Sequence, residues 1–163
     1  RTTSVIIGGN MVRWYGGFDS YIIASSLVPD YSLHSVSMGR KQAQEDEIDD
    51  ITYLPYMEWQ DWINNLSKYD IGIHLMPTIA AGTFAMNCAY HGIPVVGYEE
   101  CDTQRNCHPM TSVKIGDLEL ARDYAEKLKS DKFYKLCSET AQKRYEDHHS
   151  EEYFLKHMNN ILK

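Results

Sequence analysis

Two glycine-containing stretches carry the chemistry open to this chain. The first is Gly8-Gly9-Asn10-Met11-Val12-Arg13-Trp14-Tyr15-Gly16-Gly17; the second is Ile79-Ala80-Ala81-Gly82-Thr83-Phe84. Gly82 has no Cβ, so a ligand can approach the main chain closely there. With a helix starting at Thr83, the N–H groups of Thr83 and Phe84 lack intrahelical acceptors. They face outward with the positive end of the helix dipole behind them. Such an end binds phosphate through backbone donors, and a phosphate is the ligand this stretch points to.

The elements that hold these stretches follow from the flanking pattern. Ile71 to Leu75 reads as a buried strand, followed by a loop closed by Pro77 and opened by Ala80-Ala81-Gly82. A helix runs from Thr83 to about His91, then Gly92, and a second buried strand spans Pro94 to Gly97. This is a βαβ crossover, whose helix N-terminus points beyond the carboxyl end of its first strand. Upstream, Ser4 to Ile7, Leu33 to Met38 and Ile51 to Leu54 read as strands. Phe18, Ile22, Ile23 and Leu27 define a helix ending before Pro29. Trp59, Trp62, Ile63 and Leu66 give an amphipathic helix from Glu58 to Tyr69, with both tryptophans as packing residues. Downstream, Glu99 to Met110 reads as a long polar loop and Ser112 to Lys114 as an edge strand. Three helices close the chain: one on Leu120 to Leu128, one from a Ser130 N-cap through Ala141, and one capped by Ser150 carrying Phe154, Met158 and Ile161.

Alternating strands and helices followed by helices imply an α/β fold, a Rossmann-like doubly wound parallel sheet in the order 3-2-1-4-5-6. In that order the first and fourth strands are neighbours at the switch point. The two glycine stretches then converge on one ligand.

Composition bounds the partners. The 163 residues suffice for one core, and the single domain spans residues 1–163. Sixteen basic against twenty-three acidic side chains give a net charge of −7, which argues against nucleic-acid or anionic-membrane binding. The chain begins at Arg1 with a strand almost at once, so we expect a domain cut from a longer protein. Gln42 to Asp50 is a charged run, read as solvated surface rather than a metal site. Cys88, Cys101, Cys107 and Cys137 form no CxxC pair. Cys101, Cys107 and His108 fit no common zinc spacing, so reduced cysteines in a cytoplasmic setting are expected, with membrane-peripheral placement open for a longer chain. The first glycine loop lacks G-x-G-x-x-G spacing, and Met38-Gly39-Arg40 follows the second strand without an acidic residue, which disfavours NAD. No P-loop, G-x-S-x-G or H-E-x-x-H sequence is present.

The stretches D-I-G-I-H-L-M-P, A-A-G-T-F and N-C-A-Y-H-G-I-P-V-V-G-Y resemble the C-terminal, donor-binding domain of GT-B glycosyltransferases of the group 1, or family 4, type. The resemblance extends over nearly the whole chain. It implies one half of a GT-B fold, with an N-terminal half supplying the acceptor site. The implied activity is transfer of a sugar from a nucleotide-diphosphate donor to an acceptor hydroxyl, with retention, without cofactor or metal. By position it places the diphosphate on the backbone of Gly82, Thr83 and Phe84 and the ribose at Asn87. Ile79, Ala80 and Ala81 line the sugar pocket, and Pro55, Tyr56 and Met57 meet the nucleobase. Gly8, Gly9, Asn10, Tyr15, Gly16 and Gly17 form the first phosphate loop.

The departures from that pattern define the alternatives. The family's paired glutamates fall at Ile79 and Asn87, and its loop Arg and Lys fall near Asn10 and near Tyr15 or Gly16. Arg13 is the nearby cation for stabilising a departing diphosphate, or else a solvated loop arginine. Tyr15 is either a ligand contact or a packing residue. His74 reaches the crevice or is a hydrogen-bonded structural histidine, and Asp102-Thr103-Gln104-Arg105 borders the crevice or is a polar loop. His148-His149 is expected to be solvated. The competing functions are a binding module of the same fold without catalysis, and a sugar-nucleotide epimerase, for which no motif is present.

Overall fold

The computed structural model describes residues 3–8, 17–27, 30–36, 51–55, 57–77, 83–149, 155 and 158. Its strands are β1 (Thr3–Ile7), β2 (Tyr31–Val36), β3 (Ile51–Leu54), β4 (Ile71–His74), β5 (Val95–Tyr98) and β6 (Ser112–Val113). Its helices are α1 (Gly17–Ser25), α2 (Trp59–Leu66), α3 (Thr83–Tyr90), α4 (Asp102–Cys107), α5 (Leu118–Lys127) and α6 (Asp131–His148). The six strands form one parallel sheet in the order β3-β2-β1-β4-β5-β6, the expected topology.

Central strands buried on both faces read as continuous apolar runs, because helices cover each side. Val5, Ile7, Leu33, Ile71, Ile73, Val96 and Tyr98 point to one face, against Ile23 and Leu27 of the α1 region and Ala121 and Ala125 of α5. Ile6 and Val95 point to the other, against Leu66, Phe84 and Cys88 from α2 and α3. The long helix α6 joins the two sides. Near its start, Tyr134 donates through its hydroxyl to Asp70 O (2.7 Å). One turn on, Ser138 Oγ donates to Gly92 O (2.6 Å), and Ala141 then packs with Ala89 and Cys107.

Ser130 caps α6 as expected, accepting from Phe133 N–H, and Asp117 caps α5 through Leu120 N–H. Elsewhere the structure corrects the reading. Glu99 to Met110 is not a loop: it contains α4 and a 3-10 turn at Pro109–Thr111. The buried side chains of α4 are Thr103, Gln104 and Cys107, so its inward stripe is mostly polar and invisible to an apolar-periodicity argument. Helix α2 is shorter than Glu58 to Tyr69. Trp59, its first residue, is 59% exposed, whereas Leu66 at the other end is fully buried. His149 is half-buried, its Nε2 enclosed without a hydrogen-bond partner, and burial lowers its pKa; His148 is exposed as expected. The acidic run at 42–50 lies outside the described residues, as do Pro29, Met38, Ser150, Phe154 and Ile161. Met158 is helical and exposed.

Candidate functional site

The carboxyl ends of β1 and β4 meet as the strand order requires. Gly8 N–H donates to Ile73 O (2.9 Å), which carries the β1–β4 ladder one residue beyond β1. A Cβ on Gly8 would lie 2.8 Å from Phe84 Cδ1 and 2.9 Å from His74 Cγ, closer than side chains tolerate. Gly8 is therefore needed where it stands, because the first turn of α3 and the last residue of β4 pack directly on its backbone. His74 meets Phe84 edge-on, with ring centroids 5.1 Å apart. The next strand is cleared in the same way. Gly97 pairs with His74, and a Cβ there would sit 2.6 Å from the Gln104 carboxamide and 2.8 Å from His74 O.

Two helices begin at this edge, and their first turns differ in charge. Helix α1 carries Asp19 in its first turn, whereas α3 carries no acidic residue there. A carboxylate near a helix N-terminus offsets the dipole of its own helix. Of the two, α3 is the end left for an external anion. Asp19 is itself buried and accepts from Tyr98 Oη (2.7 Å), while Ser20 Oγ accepts from Leu75 N–H (2.8 Å). These two bonds tie the start of α1 to the carboxyl ends of β5 and β4.

Helix α3 is held down by a buried histidine. His108 Nε2–H donates to Ala85 O (2.9 Å) while Nδ1 accepts from Val95 N–H (3.3 Å), so one neutral tautomer satisfies both partners. Burial pushes the His108 pKa down to about 4, against a smaller upward pull from the Ala85 hydrogen bond. Gln104 donates through Nε2 to Val95 O (2.8 Å) and Ser112 Oγ (3.1 Å), so α4 is fastened to β5 by an amide.

Of the residues expected at the site, Gly8 lies just after β1, Gly17 opens α1 and Thr83 opens α3 with its side chain exposed. The Phe84 ring packs in the apolar cluster with Ile6 and Val95 and lies against Gly8 and His74. Asn87 is buried one turn further along α3, its Nδ2 enclosed without a hydrogen-bond partner. Pro55 is exposed after β3, and Met57 is half-buried before α2. Gly9, Asn10, Arg13, Tyr15, Gly16, Tyr56, Ile79, Ala80, Ala81 and Gly82 lie outside the described residues. Asp102 and Arg105 pair with each other on the exposed side of α4 (2.7 Å), whereas Gln104 turns inward.

All four cysteines are free and buried. Among the described residues no group of three His, Cys, Asp or Glu side chains could hold a metal ion, and no helix is long and apolar enough to cross a membrane. Sequence reasoning missed Asp19, Ser20, Tyr98, Gly97 and His108. Asp19, Ser20, Tyr98 and His108 each act through a partner at least thirteen residues away, and Gly97 is set by the side chain of Gln104 on the following helix.

The sheet order and fold match those of GT-B halves, as the resemblance implied. No protein-family model matches this sequence, and none of the curated proteins does. Solved structures match it in fold. Sucrose-phosphate synthase from Thermosynechococcus elongatus does so with a TM-score of 0.76 at 15% identity, covering 99% of this chain and 45% of that one. HepE of Anabaena, in complex with UDP-glucose, gives 0.79 at 12% identity, covering 99% and 49%. The C-terminal domain of a glycosyl transferase group 1 family protein from Francisella tularensis gives 0.71 at 12% identity, covering 91% of this chain and 87% of that domain. The chain thus spans about half the length of the first two and most of the third. At such identities the likeness is one of fold.

Proposed function

We propose that this chain is the nucleotide-sugar-binding half of a glycosyltransferase, completed by an N-terminal half that holds the acceptor. The observation that carries the reading is the junction of Gly8, His74 and the acid-free first turn of α3 at the switch point. Fold likeness to a protein solved with UDP-glucose supports it. Backbone N–H groups of Gly82, Thr83 and Phe84 hold the diphosphate, with Gly8, Gly9, Asn10, Tyr15, Gly16 and Gly17 facing it across the crevice. The unpaired Nδ2 of Asn87 is suited to a ribose hydroxyl, which would give that buried donor an acceptor. Pro55, Tyr56 and Met57 receive the base, and Ile79, Ala80 and Ala81 border the sugar.

The chemistry is sugar transfer to a hydroxyl with retention. Charge on the leaving diphosphate is met by helix N–H groups and by Arg13, without a metal. Transfer by this chain alone is expected to be poor, because the acceptor side belongs to the other half. A second reading has one specific observation in its favour: Ile79 and Asn87 stand where the family has carboxylates, which suits a module that binds nucleotide sugars without turning them over.

Calorimetric titration with UDP-, GDP- and ADP-sugars, repeated with Gly82→Val, tests the site. Binding of one nucleotide class that is lost in the variant supports it; no binding of any class refutes it. Sugar transfer by the chain joined to its N-terminal half then separates enzyme from module.

A further inference from the structure

Helix α2 leaves one end of its inward stripe uncovered. Trp59, Trp62, Ile63 and Leu66 share one helix face, at i, i+3, i+4 and i+7. Leu66 is fully buried and Trp62 packs on the cluster that holds Phe84 and Cys88 of α3, whereas Trp59 is 59% exposed. The direction of the chain explains the difference. Helix α2 follows β3 and leads back to β4, and both strands run the same way in the parallel sheet, so α2 starts at the carboxyl edge. Side chains on a helix lean toward its N-terminus, so Trp59 reaches past the last strand residues, into the space where open α/β sheets bind their ligands. In the connection from β3 to α2, exposed Pro55 and half-buried Met57 add apolar surface at the same end. We propose that Trp59 stacks on the base of the bound nucleotide sugar and so fixes its position; this rests on the donor-binding reading above.

The first turns of the two neighbouring helices suit different parts of such a ligand. Helices α2 and α3 share one apolar cluster on the same face of the sheet, and packed helices lie about 8–10 Å apart. The first turn of α3 carries no acid and is the end open to an anion. Helix α2 carries Asp61 in its first turn and Glu58 at its N-cap, both exposed, which offset its dipole and repel phosphate. An uncharged ring is what the α2 end accepts, and an exposed indole offers it a flat apolar face. Every base has such a face, so the stack adds affinity without choosing among bases. Trp62 is engaged in the core cluster and does not compete for this role.

Calorimetric titration with UDP, GDP and ADP, on the wild type, Trp59→Leu and Trp59→Phe, tests the proposal. For the nucleotide that binds, Trp59→Leu should weaken affinity about tenfold, and Trp59→Phe, which keeps a flat ring, should recover most of the loss. Leu136→Gln, at an equally exposed apolar residue on α6, should bind as the wild type does. A second measurement does not depend on the leucine variant. The bound base should quench tryptophan fluorescence in the wild type, and most of that quenching should be gone in Trp59→Phe. Wild-type affinity in Trp59→Leu, or quenching undiminished in Trp59→Phe, overturns the proposal and leaves the donor site standing. If none of the three nucleotides binds the wild-type chain, the donor reading fails and this inference with it.

Discussion

His108 makes the stability of the domain depend on pH in a calculable way. The ring is fully enclosed, its Nε2–H is committed to Ala85 O, and its Nδ1 accepts from Val95 N–H. Protonation would place a second donor against Val95 N–H in an enclosed site. The folded-state pKa is accordingly pushed down to about 4, below the ordinary 6.5 that applies when the chain unfolds. Between these values the unfolded chain binds the extra proton. Stability from the neutral ring is therefore fully present above about pH 6.5 and is lost as pH falls through about pH 4. The slope inside the window is about 1.4 kcal/mol per pH unit, and the whole effect about 3 kcal/mol. Against a typical total of about 5–15 kcal/mol this is a large share.

The perturbation is His108→Gln, which retains a donor and an acceptor but does not titrate. Urea unfolding of both proteins at about pH 7 and about pH 5 reads the difference directly. The wild type should lose about 2 kcal/mol more than the variant over that interval. At pH 7 the variant should be less stable by about 1–3 kcal/mol, because an amide fills the site less well. Other titrating groups, His34 and His149 among them, are common to both proteins and cancel. Parallel loss of stability in the two would show that His108 is not held neutral by its surroundings.

Three further outcomes follow from the same geometry. Gly8→Ala places a Cβ within 2.9 Å of the His74 and Phe84 rings, so it should lower stability by about 1–3 kcal/mol and weaken nucleotide-sugar binding, read by thermal melting and calorimetry. Tyr98→Phe removes the hydroxyl that bonds Asp19 and should cost about 1.5–3 kcal/mol, more than the roughly 1 kcal/mol expected for Ser138→Ala at a neutral acceptor; equal losses in chemical denaturation would contradict a charge-assisted bond. Burial pushes the Cys107 and Cys137 thiols up to about 11, so a thiol reagent at about pH 8 should label neither in the native protein and all four cysteines in denaturant.

The strand order was legible because β-branched runs such as Val5-Ile6-Ile7 fit strands covered on both faces. Helix α4 was not legible, since it is fastened to β5 by the Gln104 amide rather than by an apolar stripe. In the sequence His108 entered only with Cys101 and Cys107, as a set that fits no common zinc spacing. Its role appears only when Ala85 and Val95, twenty-three and thirteen residues away, are brought to either side of the ring. Trp59 matched the apolar spacing of α2 yet is exposed, because spacing identifies a stripe but not how far along the helix the stripe is covered. At the site, Gly8 could be read as a turn glycine. That it must admit two aromatic rings could not, because β1–β4 adjacency is a long-range fact.

The buried polar groups around the crevice share a consequence. Helix α3 rests on the sheet through Phe84 and Cys88, but its flank toward α4 is pinned by His108, and α4 in turn by Gln104. Hydrogen bonds fix direction where apolar contacts mainly fix depth. Directional pins near the start of α3 hold the Thr83 and Phe84 N–H groups at a set angle to the carboxyl edge, which backbone recognition of a diphosphate demands. A variant such as His108→Gln should then weaken nucleotide-sugar binding even at temperatures where it stays folded. Ser138→Ala, which loosens α6 at the far end of α3, should not.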